Sequence, residues 1–213
     1  MSILFFTICI DFFDTIFNYL ITNDLIITQG LLMRNQKVYT DKLKKILTKD
    51  EFIQFKKDKF SLIDFGYKYV DEGDFKRAFK VFNIGIKLNG SDPDILNGIG
   101  VSLCELGRLN SSRLILIKTM KLYPEDAITL ANIAGVYWKE ENFDKAIYFY
   151  NQSIQIDPFV EETHINLINI YYERGDLFMS YISSLNFQKI FPNNEQAKEI
   201  LNDVILDIGI SFY

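Results

Sequence analysis

The chain is poor in residues that carry chemistry. It has one histidine, His164, two cysteines, Cys9 and Cys104, one tryptophan and four prolines in 213 residues. A single imidazole leaves no histidine-based metal site, and no CxxC or Cys/His cluster offers a metal cage. Two cysteines far apart in sequence fit free thiols in a reducing compartment better than a disulfide framework. There is no Gly-rich phosphate loop, no HExxH and no Ser/His/Asp spacing. Cys104 has no base beside it, as a nucleophilic thiol would want. These absences argue against an enzyme and imply no cofactor. No nucleic-acid-binding motif is present. The net charge of −5 is too mild to name a partner by itself.

What charge there is falls unevenly. Residues 1–33 hold no Lys or Arg, residues 34–60 carry a net +5, and residues 61–213 carry a net −7. Three characters suggest an apolar leader, a basic connecting segment and a body. The leader, MSILFFTICIDFFDTIFNYLI, lacks the basic start and small cleavage residues of a secretory signal. Asp11 and Asp14 interrupt it as a membrane span. Membrane contact through 1–32 is therefore the disfavoured reading, against an amphipathic helix packed on the body or a start at Met33. Residues 36–58 read as one helix, with Val38, Leu43, Ile46, Leu47 and Ile53 on one face and lysines around the rest. The nearby acids make a solvated helix a better reading than an anion-binding one.

The body is periodic. Pro124, Pro158 and Pro192 stand 34 residues apart, as do Gly66, Gly100 and Ala134, and Ala78, Ser112, Ala146 and Ser180. Gly73, Gly107 and Gly175 keep the same register. A repeat of this length marks stacked helical hairpins, none of which can bury its apolar face alone. Four units align without a gap, 59–92, 93–126, 127–160 and 161–194, after an N-terminal extension over 1–58. The glycines suit helix C-caps, where positive φ costs little only without a Cβ. The prolines stop second helices. Asp92 and Pro93 suit an N-cap and first helical position, and Asn194 suits the cap of a final helix over 195–208. In the fourth unit Ser184 replaces an aromatic and Phe187 replaces a small residue, a swap of volumes.

The third unit shows Leu130, Ile133, Ala134, Tyr137, Ala146, Tyr150 and Pro158; the first shows Leu62, Phe65, Gly66, Tyr69, Ala78 and Phe82. This pattern resembles the tetratricopeptide repeat family over about 59–194. The resemblance implies an all-α fold: a right-handed α-solenoid of four hairpins, a C-terminal capping helix and a helical N-terminal extension. It also implies a concave groove lined by the first helix of each unit. Carried over position by position, the lining set is Asp64, Tyr67 and Asp71; Asp94, Asn97, Val101 and Glu105, with Cys104; Asn132, Trp138 and Lys139, with Ile128 and Gly135; and Glu162, Asn166, Asn169, Tyr172 and Glu173.

Asn132 and Asn166 stand where some family members hold a peptide backbone through an amide that both donates and accepts. Solvated asparagine is the alternative at these two positions. Trp138 and Tyr172 offer faces for stacking, or else pack on the next hairpin. The set holds six acids and one base, so a basic or polar segment is the expected occupant. The family's clamp for acidic chaperone tails is missing, since Ile63 and Tyr67 occupy its first two positions. The expected function is a non-catalytic cytoplasmic adaptor that binds a protein or peptide segment in an acidic groove. The alternative is a structural subunit, or a secretion or assembly chaperone, docking through the apolar N-terminal segment.

Overall fold

Every regular element among the described residues is helical, because the apolar pattern runs at helical spacing throughout. The computed structural model describes residues 37–58, 62–89 and 91–209. The expectations for the apolar leader, including membrane contact through 1–32, lie outside the described residues. No described helix is long and apolar enough to cross a membrane. The chain divides into two units, Met1–Lys59 and Phe60–Tyr213.

In the first unit the single helix expected over 36–58 is two: α1 over residues 37–46 and α2 over Lys49–Asp58. Thr48 causes the break. Its backbone N–H donates to Glu51 Oε2 at 2.8 Å, and its hydroxyl accepts from the Glu51 N–H at 3.3 Å. This reciprocal capping box starts a new helix inside a sequence whose apolar spacing alone reads as continuous.

The second unit is a series of antiparallel hairpins. The pairs are α3 (Leu62–Asp71) with α4 (Phe75–Asn89), α5 (Pro93–Glu105) with α6 (Leu109–Leu122), α7 (Ala127–Lys139) with α8 (Phe143–Ile156), and α9 (Glu161–Glu173) with α10 (Leu177–Ile190). Each hairpin packs on the next, and α11 (Glu195–Ile208) covers α10. The all-α solenoid expected from the period is the fold of this unit. First helices also meet directly, α3 on α5 and α5 on α7, so these three form a row.

Local chemistry sets the ends. The turn glycines Gly73, Gly107 and Gly175 have φ of 73°, 73° and 79°. The third turn has no glycine, and Glu141 takes φ 57° in the same register. A side chain there is strained by roughly 1–2 kcal/mol, partly offset by the entropy glycine would lose. Glu141→Gly is therefore expected to raise stability by about 0.5–1 kcal/mol in urea unfolding. No gain would contradict the turn geometry.

Caps repeat with one lapse among second helices. Asp74, Asn142 and Asp176 accept from the backbone N–H three residues on, at 3.0, 3.4 and 3.2 Å. Arg108 holds the equivalent place and makes no side-chain cap. Arg108→Asp is expected to add about 1 kcal/mol, read as a melting temperature higher by about 2–4 °C. An unchanged or lower value would refute the assignment of Arg108 as an uncapped N-cap.

The core follows a small-to-large pairing within hairpins. A Cβ added to Gly66 would lie 2.4 Å from Phe82, and one added to Gly100 would lie 2.4 Å from Leu116. In α7–α8, Ala134 and Tyr150 share one cluster. In α9–α10, Ile168 and Phe187 are buried together with Ala197 and Val204 of α11, while Ser184 is also fully buried. The volume swap in the fourth unit thus leaves a filled core. His164 belongs to this end: its Nε2 is 2.8 Å from the Pro158 carbonyl and its ring stacks on Phe187 at 10°.

Candidate functional site

The row of first helices lines an open groove of about 810 Å³ running from Tyr67 in α3 to Asn166 in α9. Of the eighteen residues expected to line it, twelve do, among them Tyr67, Asp71, Val101, Glu105, Asn132, Trp138, Lys139, Glu162 and Asn166. Cys104, Ile128 and Gly135 complete the set.

The other six go elsewhere. Asp64 and Asp94 are exposed but are not part of the lining. Asn169 and Tyr172 face a second, smaller concavity formed with α11, where the Tyr172 hydroxyl donates to Asp207 at 2.7 Å. Glu173 accepts the Trp138 indole N–H at 2.7 Å. Asn97 is fully buried. Its amide donates to Asp126 Oδ2 at 2.9 Å, and its Oδ1 accepts from the Thr129 hydroxyl at 2.9 Å. Burial, with these two bonds, puts the Asn97 amide out of a partner's reach. It sits one register position before the Asn132 and Asn166 row, and its side chain is bonded into the seam with α7.

The asparagines that do line the groove differ in this respect. Neither Asn132 nor Asn166 has a side-chain hydrogen-bond partner among the described residues, and both are half-buried. Each amide keeps its donors and acceptor for something outside the fold.

Charge in the groove is less uniform than six acids against one base. Lys139 Nζ sits 2.9 Å from Glu105 Oε2, so that pair largely cancels. Asp71, Glu141 and Glu162 also line the groove and are in no ion pair among the described residues. Glu105 and Glu173 are committed to Lys139 and Trp138; Asp71, Glu141 and Glu162 are the acids that remain available.

Cys104 and Tyr67, both in the lining, have shifted titration. Burial, with the charges of Glu105 and Glu140 opposing that of Lys139, pushes the Cys104 thiol up to about 11. At neutral pH it is a protonated thiol and not a nucleophile. Burial, then Asp94, Asp126 and Asp92, raises the Tyr67 phenol, whose hydroxyl donates to the Asp94 carbonyl at 3.1 Å. That bond ties α3 to the start of α5. Among the described residues no group of His, Cys, Asp and Glu could hold a metal ion.

Sequence reasoning missed several lining residues. Val70 shares the register of Cys104 and Trp138, so the period could have found it. Tyr150 could not be found this way, because it comes from a second helix and reaches the groove from below. Val160 and Thr163, at the start of α9, gave no signal in the sequence.

Residues 127–159 match the family model described as Tetratricopeptide repeat. None of the curated proteins matches the chain. Among solved structures, the chain is similar to TTC0263, a thermophilic tetratricopeptide repeat protein of Thermus thermophilus, with TM-score 0.59 and 14% identity over 70% of this chain and 81% of that one. It is similar to a chain of the APC/C hetero-tetramer Cut9–Hcn1 structure, with TM-score 0.57 and 20% identity over 68% of this chain. It is also similar to the Naa15/Naa10 structure bound to HypK, with TM-score 0.57 and 19% identity over 70% of this chain. The match spans only 29% of the Cut9–Hcn1 structure's chain and 22% of the Naa15/Naa10 structure's chain. Residues 127–159 match as a tetratricopeptide repeat, and with the 34-residue period and the stacked hairpins the second unit has the tetratricopeptide repeat fold.

Proposed function

We propose that the second unit is a non-catalytic scaffold whose groove binds an extended segment of a partner protein, with a basic or polar sequence preferred. The observation that carries this reading is the pair of unpartnered amides, Asn132 and Asn166, set 34 residues apart on neighbouring first helices. An amide that donates and accepts can pair with a main chain of any sequence. The unpaired Asp71 and Glu162 carboxylates supply the preference for positive charge. Two of the similar structures, Cut9 with Hcn1 and Naa15/Naa10 with HypK, are protein complexes. That supports a protein as the occupant.

The test places a photo-crosslinking residue at Ile128 in the groove or at Leu114, which is 71% exposed on α6 and outside the groove lining. Partner peptides should crosslink from position 128 and not from 114. Asn132→Ala with Asn166→Ala should weaken binding of the captured segment about tenfold, from two backbone hydrogen bonds of roughly 1 kcal/mol or less each, with melting temperature unchanged. Equal crosslinking from both positions would end the groove reading. Deleting residues 1–32 tests the alternative of assembly through the N-terminal segment, since that route would lose every partner on deletion.

A further inference from the structure

Five glycines lie inside described helices, and packing explains four of them. An added Cβ would meet Phe82 at 2.4 Å from Gly66 and 2.2 Å from Gly98, Leu116 at 2.4 Å from Gly100, and Ile95 at 3.2 Å from Gly85. Gly135 is the exception. Its nearest neighbour would be the Tyr150 hydroxyl oxygen at 3.7 Å, an ordinary contact. Glycine in a helix interior is unfavourable relative to alanine, so α7 carries a residue its fold does not need. What the absent side chain does is leave a notch in the groove wall above the Tyr150 hydroxyl.

An independent observation lies in the same lining. The Thr163 hydroxyl is the one buried side-chain polar atom without a hydrogen-bond partner among the described residues. Its residue is 1% exposed and lines the groove. The equivalent hydroxyl one unit earlier, on Thr129, is held by Asn97 and Asp126. Moving that network on by 34 residues puts Ala131 and Val160 where Asn97 and Asp126 stood, and neither has a polar side-chain atom. The first seam is closed internally; the second leaves the Thr163 hydroxyl unpaired just beneath the groove lining.

The charge here is negative. Burial, and then the Glu162 carboxylate, raises the Tyr150 phenol, which therefore keeps its proton and its acceptor lone pairs at neutral pH. Trp138 stands edge-on to the Tyr150 ring at 6.4 Å.

We propose that the Gly135 notch receives a lysine side chain of the bound segment, its stem passing Gly135 and its ammonium reaching Glu162, Tyr150 and Thr163. This rests on the peptide-groove reading and adds one specificity position to it. The site offers a carboxylate and two hydroxyl oxygens, and an ammonium is three donors with no acceptor. A glutamate would meet Glu162 as a like charge. A neutral apolar chain would bury Glu162 without a partner. The aromatic wall of Trp138 and Tyr150 favours a cation further.

The probes are pools of eleven-residue peptides, degenerate except for a central lysine, arginine, norleucine or glutamate, passed over the immobilised full chain. The lysine pool should be retained about fivefold over norleucine, with glutamate lowest. Gly135→Ala should erase that ratio while raising the melting temperature by about 2–4 °C. Glu162→Gln should lower the ratio without changing the melting temperature. Equal retention of lysine and norleucine, a ratio that survives Gly135→Ala, or arginine retained as well as lysine would each overturn the lysine assignment. If all pools bind equally and Asn132→Ala with Asn166→Ala releases them, the groove reading stands and only the notch falls. If that double variant retains the pools unchanged, both fall.

Discussion

Gly98→Ala should destabilise the second unit by about 1–3 kcal/mol in urea unfolding, although glycine to alanine inside a helix is ordinarily a gain. The reason is Phe82. Its ring is fully buried, and its Cζ lies 2.4 Å from where a Gly66 Cβ would be and 2.2 Å from where a Gly98 Cβ would be. The two glycines sit on different first helices, α3 and α5, so one aromatic wedge from α4 holds three helices together. Phe82→Ala should cost about 3–5 kcal/mol, the range for a large core aromatic whose space cannot collapse. The two effects must be coupled. In a Phe82→Leu background the added methyl of Gly98→Ala meets a smaller neighbour, so the double variant should lose at least about 1 kcal/mol less than the sum of the singles. Simple additivity would mean the wedge is not shared. The sign contrast with Gly135→Ala, one substitution at two helical glycines, makes the packing account hard to satisfy by accident.

The wedge shows how much of this molecule was legible beforehand. Gly66, Gly100 and Ala134 announced themselves by period, as did the larger Phe82, Leu116 and Tyr150 facing them, because a helical repeat copies its packing from unit to unit. Caps were legible for the same reason, and Asp92 and Asn194 cap as their side chains dictate. Gly98 was not legible, since no other unit has glycine at that register and its partner lies in the preceding hairpin. Register also placed most of the groove, but register cannot say which of two neighbouring positions turns inward. Asn97 shows the limit: the polar side chain that looked suited to a ligand was suited to Asp126 and Thr129. The break at Thr48 was hidden similarly, because a capping box is a local bond set that leaves the apolar spacing undisturbed.

Installing the α5–α7 network one unit further along should produce the second large effect. Val160 is the N-cap of α9 and makes no side-chain cap, whereas Asp92, Asp126 and Asn194 cap their helices with an oxygen. Val160→Asp should therefore add about 1 kcal/mol as a cap. The introduced carboxylate would stand near Glu161 and Glu162, a repulsion that exposure and salt reduce and the helix N-terminus offsets. Ala131→Asn then supplies the second partner that Thr129 enjoys, and the Thr163 hydroxyl, costly to leave unpaired, is satisfied. Together the pair should add about 2 kcal/mol and raise the melting temperature by about 4–8 °C. The same change puts an amide in the groove beside Gly135 and consumes Thr163, closing the notch to a lysine stem, so the lysine pool should lose its excess over norleucine despite the added carboxylate. Stability that rises while binding is lost would show that the chain keeps an open seam here at the expense of a tighter one, as proteins do where a site must stay available. A double variant that is less stable than the parent would mean that Ala131 and Val160 are there for packing, and the open seam would then carry no argument about a ligand.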